Sequence, residues 1–365
     1  MRALLLIAFI FSFYCSSAQT LSGYVYDEDE NKPLEGAFVY LDGTTLSAST
    51  DARGFFKIVT AQKYNAALVI SFVGFETLRI DDPYKYGKPV KVKLRTDAIA
   101  LDEVVITKGG PFTRKQMLKV FREQFLGTTR AGSSCTIENE DDITLYFDLA
   151  TNTLIAKSLK PIRIVNKRLE YKVNFDLVGF QVSYSAKTLD YFNLRGSFFA
   201  GTTFFTDVSK ENRADKKRKE AYLGSVTHFM KTLAAGDWEK QEYRLFADKY
   251  QVDPNHYLSV TDSLGYKKVT LIDIPEYVKT RRAEIAANRF HSLTKKDEEK
   301  KGKYSDVKFS VLYAKNLQSQ ITFNNGYFYI DKNGLFFPLS EVIFGGYMGD
   351  LKAGDLLPAN YAYTP

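Results

Sequence analysis

Apolar and polar positions alternate in short runs over residues 21–95. "GAFVYLDG" puts Ala37, Val39 and Leu41 on one face and Phe38 and Tyr40 on the other. "KPVKVKLR" turns Val90, Val92 and Leu94 inward and its basic residues outward. "ALVISFVGF" is almost continuously apolar, which suits a strand covered on both sides. Turn signals separate these runs. In "STDARGFFKI" the Asp51 carboxylate can bond the turn backbone, Gly54 admits positive φ, and Phe55 and Phe56 take opposite faces. A phosphate loop would need more glycines leading into a helix. A calcium loop would need oxygens at alternate positions; "DEDEN" comes nearer to that but lacks the glycine and the distal glutamate. Short strands at this spacing predict a β-sandwich.

The pattern changes after "GGPF". "FTRKQMLKVFREQFLG" predicts an amphipathic helix capped by Thr113 and ended by Gly127, with Met117, Leu118, Phe121 and Phe125 on the dry side. Arg114, Lys115, Lys119 and Arg122 form its wet side. "ITLYFDLATNTLIAKSL" predicts a hairpin around Thr151–Thr153. In "RLEYKVNFDLVGF", Leu169, Tyr171, Val173, Phe175 and Leu177 face inward and the residues between them face water, the mark of an antiparallel sheet with one solvated face. "SKENRADKKRKEAYLGSVTHFMKTLAAGD" predicts one helix, or two halves around Gly224, with Ser209 as N-cap, a solvated charged half and a buried apolar half. "KKDEEKKGK" is a hydrophilic loop, and "YSDVKFSVLYA", "SQITFN" and "GYFYIDKNGLFFP" are strands, the last a hairpin across Asp331–Gly334. The expected architecture is mainly β. A signal segment over 1–18 precedes a sandwich over 19–97, a linker or last strand over 98–111 and an antiparallel α+β domain over 112–365.

Composition adds the compartment. Arg2, the apolar run Ala3–Tyr14 and "CSSAQT" form a secretory signal cut between Ala18 and Gln19. The run is too short to span a bilayer, and the bulky Phe13 and Tyr14 argue against lipid attachment at Cys15. Cleavage leaves Cys135 alone, without an internal disulfide and read as a small buried hydrophobe. Aromatics are 15% of the chain, with 24 Tyr, which favours β-structure. The net charge of +7 would suit nucleic acid in a cytosolic protein. After export its acidic partners are lipid headgroups, polysaccharides or acidic protein faces, and diffuse solvated charge is the simpler reading.

Candidate chemistry is sparse. His228, His256 and His291 lack zinc-peptidase spacing, and there is neither a nucleophile elbow nor a phosphate loop. The acidic run "ENEDD" lies in one turn, whereas paired glycosidase carboxylates must face each other across a cleft. The remaining cluster is Arg218, Tyr222, Ser225 and His228, which helical spacing sets along one stripe. They could grip an anion, or Ser225 and His228 could meet. Interior residues with backbone partners are the simpler reading.

"GYVYDEDENKPLEGAFVYLDGTTLSASTDARGFFKI", "ALVISFVGFE" and "LDEVVIT" together resemble the carboxypeptidase-like regulatory domain. Pro33, Gly36, Gly43, Thr44, Asp51, Gly54, Phe56, Gly74 and Phe75 carry the signature. The resemblance implies a transthyretin-like, seven-stranded sandwich without catalysis. Such domains are appended to zinc carboxypeptidases and stand at the N-termini of SusC-type TonB-dependent transporters. In those transporters a stretch like "EVVIT" precedes the plug; here a strand pairing back onto the sandwich is the simpler expectation. "FREQFLGTTRAGSSCTIENEDDITLYFD", "RKEAYLGSVTHFMKTL" and "GGYMGDLKAGDLLPANYAY" resemble the region that follows this domain in bacterial envelope proteins. The expectation is a non-catalytic exported protein of the periplasm or outer membrane of a Gram-negative bacterium. It would dock an envelope protein or glycan, without nucleic acid, cofactor or metal. A hydrolase centred near His228 is the alternative. A small outer-membrane barrel fits less well, given the charged helix and the "YAYTP" ending.

Overall fold

The computed structural model describes residues 19–86, 89–97, 110–288 and 302–363. The segment expected to be a signal, with Ala18, the "EVVIT" stretch, His291 and most of the "KKDEEKKGK" loop lie outside the described residues. The fold is mainly β. The chain divides into two units, one running to residue 104 and including Thr202–Phe204, the other comprising the rest.

The first unit has seven strands: β1 (Gln19–Asp27), β2 (Phe38–Leu41), β3 (Ser47–Ser49), β4 (Phe55–Thr60), β5 (Leu68–Ser71), β6 (Leu78–Ile80) and β7 (Val90–Leu94). They form one sheet of order β4-β1-β7 and another of order β3-β2-β5-β6. Leu21, Val25, Phe56 and Val92 from the first sheet and Val39, Leu41, Leu68 and Ile70 from the second share one core. Val69 is buried on the opposite face of β5, as the continuous apolar run requires. The "DARG" segment is a turn. Asp51 Oδ1 accepts from the N–H groups of Arg53 and Phe55, both at 2.9 Å, and Gly54 has φ +72°. These hydrogen bonds, that from Phe55 foremost, hold the Asp51 carboxyl below its usual range. In "DEDEN", Asp27 Oδ1 accepts from Asp29 and Glu30 N–H in the same way.

The second unit begins with α1 (Arg114–Phe125). Thr113 and Gln116 form a full capping box, and Met117, Val120, Phe121 and Phe125 are buried. A six-stranded antiparallel sheet follows: β8 (Cys135–Ile137), β9 (Ile143–Asp148), β10 (Thr153–Ser158), β11 (Ile162–Asn166), β12 (Tyr171–Tyr184) and β13 (Leu194–Asp207). Phe121 and Phe125 pack on Phe180 and Phe175 of β12. Along β12 the inward positions are 171, 173 and 175, then 180, 182 and 184. The alternation therefore slips phase near Val178, which lets β11 pair with the first half and β10 with the second. The basic side of α1 is only partly wet. Arg114 donates to the Ile143 and Glu140 carbonyls, and Arg122 grips the Glu140 carboxylate.

Beyond this sheet come α2 (Asp215–Tyr222), α3 (Val226–Ala235), β14 (Tyr243–Ala247), β15 (Tyr250–Val252), α4 (Pro254–Tyr257), β16 (Leu258–Ser263), β17 (Tyr266–Leu271), α5 (Glu276–Asn288), β18 (Lys308–Tyr313), β19 (Leu317–Phe323), β20 (Tyr327–Ile330), β21 (Phe336–Phe337), β22 (Val342–Gly345) and α6 (Gly346–Asp350). Two further antiparallel sheets have the orders β15-β14-β18-β19-β22 and β16-β17-β20-β21. Their core gathers Phe229, Met230 and Leu233 of α3 with Tyr243, Phe309, Ile321 and Phe328.

Candidate functional site

The chain breaks between α2 and α3, at the centre of the expected stripe. Gly224 has φ +81°, and Leu223 and Ser225 are extended. Arg218 and Tyr222 thus belong to one helix and His228 to the next, so no single helical stripe carries all four residues. Ser209 does not cap α2, which starts six residues later at Asp215. Its hydroxyl instead accepts from the Ala214 N–H.

Arg218 lies in the half expected to be solvated, yet it is buried. Its Nη1 and Nη2 each donate to one Asp207 oxygen at 2.7 Å. Nε and Nη2 also reach the Leu169 and Glu170 carbonyls, at 2.8 and 3.1 Å. The guanidinium stacks on Tyr171, 3.8 Å from the ring centre. Burial works against its charge, but the Asp207 hydrogen bonds together with the nearby charges of Asp207 and Asp215 and the Tyr171 hydroxyl outweigh it and raise its pKa. The same bonds hold the Asp207 carboxyl below its usual range. This fork-to-fork pairing joins α2 to the end of β13, and the stacking on Tyr171 joins it to β12.

Ser225 and His228 meet, but through the backbone. Ser225 Oγ is the N-cap of α3 and accepts from the His228 N–H at 3.2 Å. The buried His228 ring has two other partners. Nδ1 accepts from the Gly224 N–H at 3.1 Å and lies 3.2 Å from the Tyr243 hydroxyl. A backbone N–H can only donate, so Nδ1 carries no proton and Nε2–H donates to Gln241 Oε1 at 3.2 Å. Gln241 donates onward to Asp237 Oδ2. Burial lowers the His228 pKa, favouring the neutral ring. The sign of the linkage follows. The unfolded chain takes up this proton below about pH 6.5 while the folded chain resists it. His228 therefore contributes stability above that pH, which is lost as pH falls towards the folded value. Urea midpoints of the native protein should decline between pH 7 and pH 5, and His228→Gln should flatten the decline. An unchanged slope in the variant would remove His228 as its cause.

Tyr222 and Ser225 line a cavity of about 130 Å³, together with Val226, Met348, Leu357 and Tyr361. Its walls are mainly apolar, and its volume suits a group about the size of a benzene ring. Arg218 and His228 are not among its walls. Tyr222 stacks on Tyr363 with centroids 4.7 Å apart, and burial pushes its hydroxyl pKa up to about 12. Asp355 also borders the cavity, and burial raises its carboxyl pKa. The residue types alone did not mark Asp355 or Tyr361; the only signal was the "GDLLPANYAY" segment.

The other candidates have structural partners. Within "ENEDD", Glu140 pairs with Arg122, Asp142 with Lys160, and Glu138 with Arg163 and Lys172. The Cys135 thiol donates to the Ala131 carbonyl, and burial pushes its pKa up to about 12, so it is a poor nucleophile. His256 is exposed, 3.5 Å from Asp273. No cluster of metal-ligating residues occurs among the described residues.

Residues 21–106 match the family model of the CarboxypepD_reg-like domain, the family that the sequence signature resembles. The region that follows lies outside that match. No curated protein matches the chain. Among the described residues no helix is long and apolar enough to cross a membrane.

Proposed function

We propose that this is an exported, non-catalytic protein of the cell envelope that docks a protein or glycan partner. The observation that carries the reading is the match of residues 21–106 to a regulatory-type domain. The candidate cluster gives it further support. Arg218 is bound to Asp207 and two carbonyls, and the His228 nitrogens bond the Gly224 backbone and Gln241, which supports interior roles for both. The net positive charge suits acidic envelope surfaces.

Cell fractionation with N-terminal sequencing, followed by lysine cross-linking in intact cells, tests the reading. The expected result is a chain starting at Gln19, in an envelope fraction, linked repeatedly to one envelope component. An uncleaved chain in the cytoplasm would overturn it.

A further inference from the structure

The β12–β13 hairpin presents apolar side chains at one end of its sheet. Pairing of Thr153 with Ser183, and donation from Tyr184 N–H to Asn152 O, bring the β9–β10 turn beside the end of β12. Leu149 is in that turn and is 56% exposed. The connection that starts at Ser185 carries Tyr191, 75% exposed, and Phe192, 93% exposed. The connection has its own hydrogen bonds. Ser185 N–H donates to the Asn193 carbonyl at 2.8 Å, and Asp190 Oδ1 accepts from Phe192 N–H. The backbone that carries the two exposed rings is therefore an ordered turn.

The charges around the tip differ in how they are used. Asp148 accepts from Ala150 N–H and the Thr151 hydroxyl, and Asp190 accepts within its own turn. Lys187 and Arg195 are exposed and make no ion pair among the described residues. Two basic head groups thus flank the aromatic pair and are free to meet phosphate. Three side chains of at most about 250 Å² each, already partly covered, offer less than the roughly 800 Å² per partner that a stable protein interface needs. Shallow insertion into a lipid surface has no such area requirement, because aromatic rings settle at the headgroup boundary and basic residues add attraction to anionic lipid.

We propose that Tyr191 and Phe192, with Leu149 beside them, insert into a lipid headgroup region, and that Lys187 and Arg195 contact lipid phosphate. This deepens the envelope reading and rests on it, since the chain must reach a membrane face to use the tip. The test is flotation of the purified protein with vesicles of phosphatidylcholine alone or with phosphatidylglycerol added. The protein should float with both, and more with the anionic vesicles. Tyr191→Ser combined with Phe192→Ser should reduce bound protein by at least about tenfold, with an unchanged circular dichroism spectrum. Lys187→Gln with Arg195→Gln should remove the preference for anionic vesicles. The proposal fails if the native protein floats with neither vesicle, or if the aromatic double variant floats equally well. It also fails if Phe192 instead drives self-association in sedimentation velocity, which would assign the tip to a second copy. A negative flotation result alongside an envelope location would leave the docking reading in place. A cytoplasmic location would remove that reading whatever the vesicles show.

Discussion

Arg218→Met should destabilise the second unit by about 3 kcal/mol, which is towards the lower end for a broken buried ion pair because Asp207 is half exposed. The variant keeps an apolar stem against Tyr171 but leaves the Leu169 carbonyl without this donor and the Asp207 carboxylate with the Ser209 N–H in place of a guanidinium, while the Glu170 carbonyl keeps the Val208 N–H. Arg218→Lys should lose about half as much, since one ammonium cannot serve a carboxylate fork and two carbonyls together. The pair also sets an acid limit. Asp207 titrates below its unfolded value, so its contribution is complete above about pH 4 and is lost as pH falls through the folded pKa. Urea unfolding from pH 7 down to pH 3 should show this dependence in the native protein and a flatter one in Arg218→Met. A methionine variant as stable as the native protein would mean that this guanidinium does not hold the unit together, and would return Arg218 to the list of residues available for an anion.

Gly354→Ala should have an effect of similar size, about 3 kcal/mol. A Cβ there would lie 2.5 Å from the Leu126 carbonyl oxygen and 2.6 Å from the Gly132 Cα. Both are backbone atoms, so no side-chain rotation relieves the clash. The displacement would disturb three hydrogen bonds: Gly354 N–H to Leu126 O, Asn166 Nδ2 to Gly354 O, and Thr129 Oγ1 to Asp355 Oδ1. Gly265→Ala is the control. Gly265 has φ +84° but nothing within 4 Å of a new Cβ, so only the left-handed backbone penalty applies, about 1 kcal/mol. Equal losses in thermal or urea unfolding would show that conformational preference, not close approach, governs both positions.

Much of the fold was legible because it depends on local periodicity and turn chemistry. Asp51 and Gly54 act as their positions in "DARG" imply, and Thr113 caps α1 with its own neighbour Gln116. The alternation from Leu169 to Phe175 marks the buried face of β12, and the "DKNG" turn joins β20 to β21. Local pattern failed where distant groups decide. "ADKKRKEAY" reads as a wet helix face, yet Arg218 is buried because Asp207 at the end of β13 and the two carbonyls just before β12 await it. Ser209 looked like a cap, but its hydroxyl closes the turn before α2. The slip in β12 was invisible because Leu177-Val178-Gly179-Phe180 suits either phase, and only packing on α1 selects one. Helix α5 and the sheets around β14–β17 were not read at all: α5 has no clear apolar face, and the alternation in β14 spans only five residues.

The candidate site was harder to read than the fold. Spacing alone grouped four residues of which only the Tyr222 and His228 rings touch, with centroids 5.0 Å apart, while their polar atoms meet other partners. Tyr222 and Ser225 line a cavity that is completed by a segment more than a hundred positions away, while the His228 ring faces Tyr243 and Gln241. No motif announced those pairings, because each polar atom is satisfied by a group distant in sequence or by the backbone.

The contact between Thr129 and Asp355 spans 226 positions. As the chain is synthesised, α1 and the strands that follow it can form long before Asp355 emerges. They cannot close, because Asn166, Leu126 and Thr129 wait for Gly354 and Asp355 as their permanent partners. Closing so long a loop carries an entropic penalty that only the finished packing offsets. The order of emergence therefore makes this unit's assembly a late, concerted event, and any chain halted before residue 354 would present an unsealed edge to proteases and chaperones.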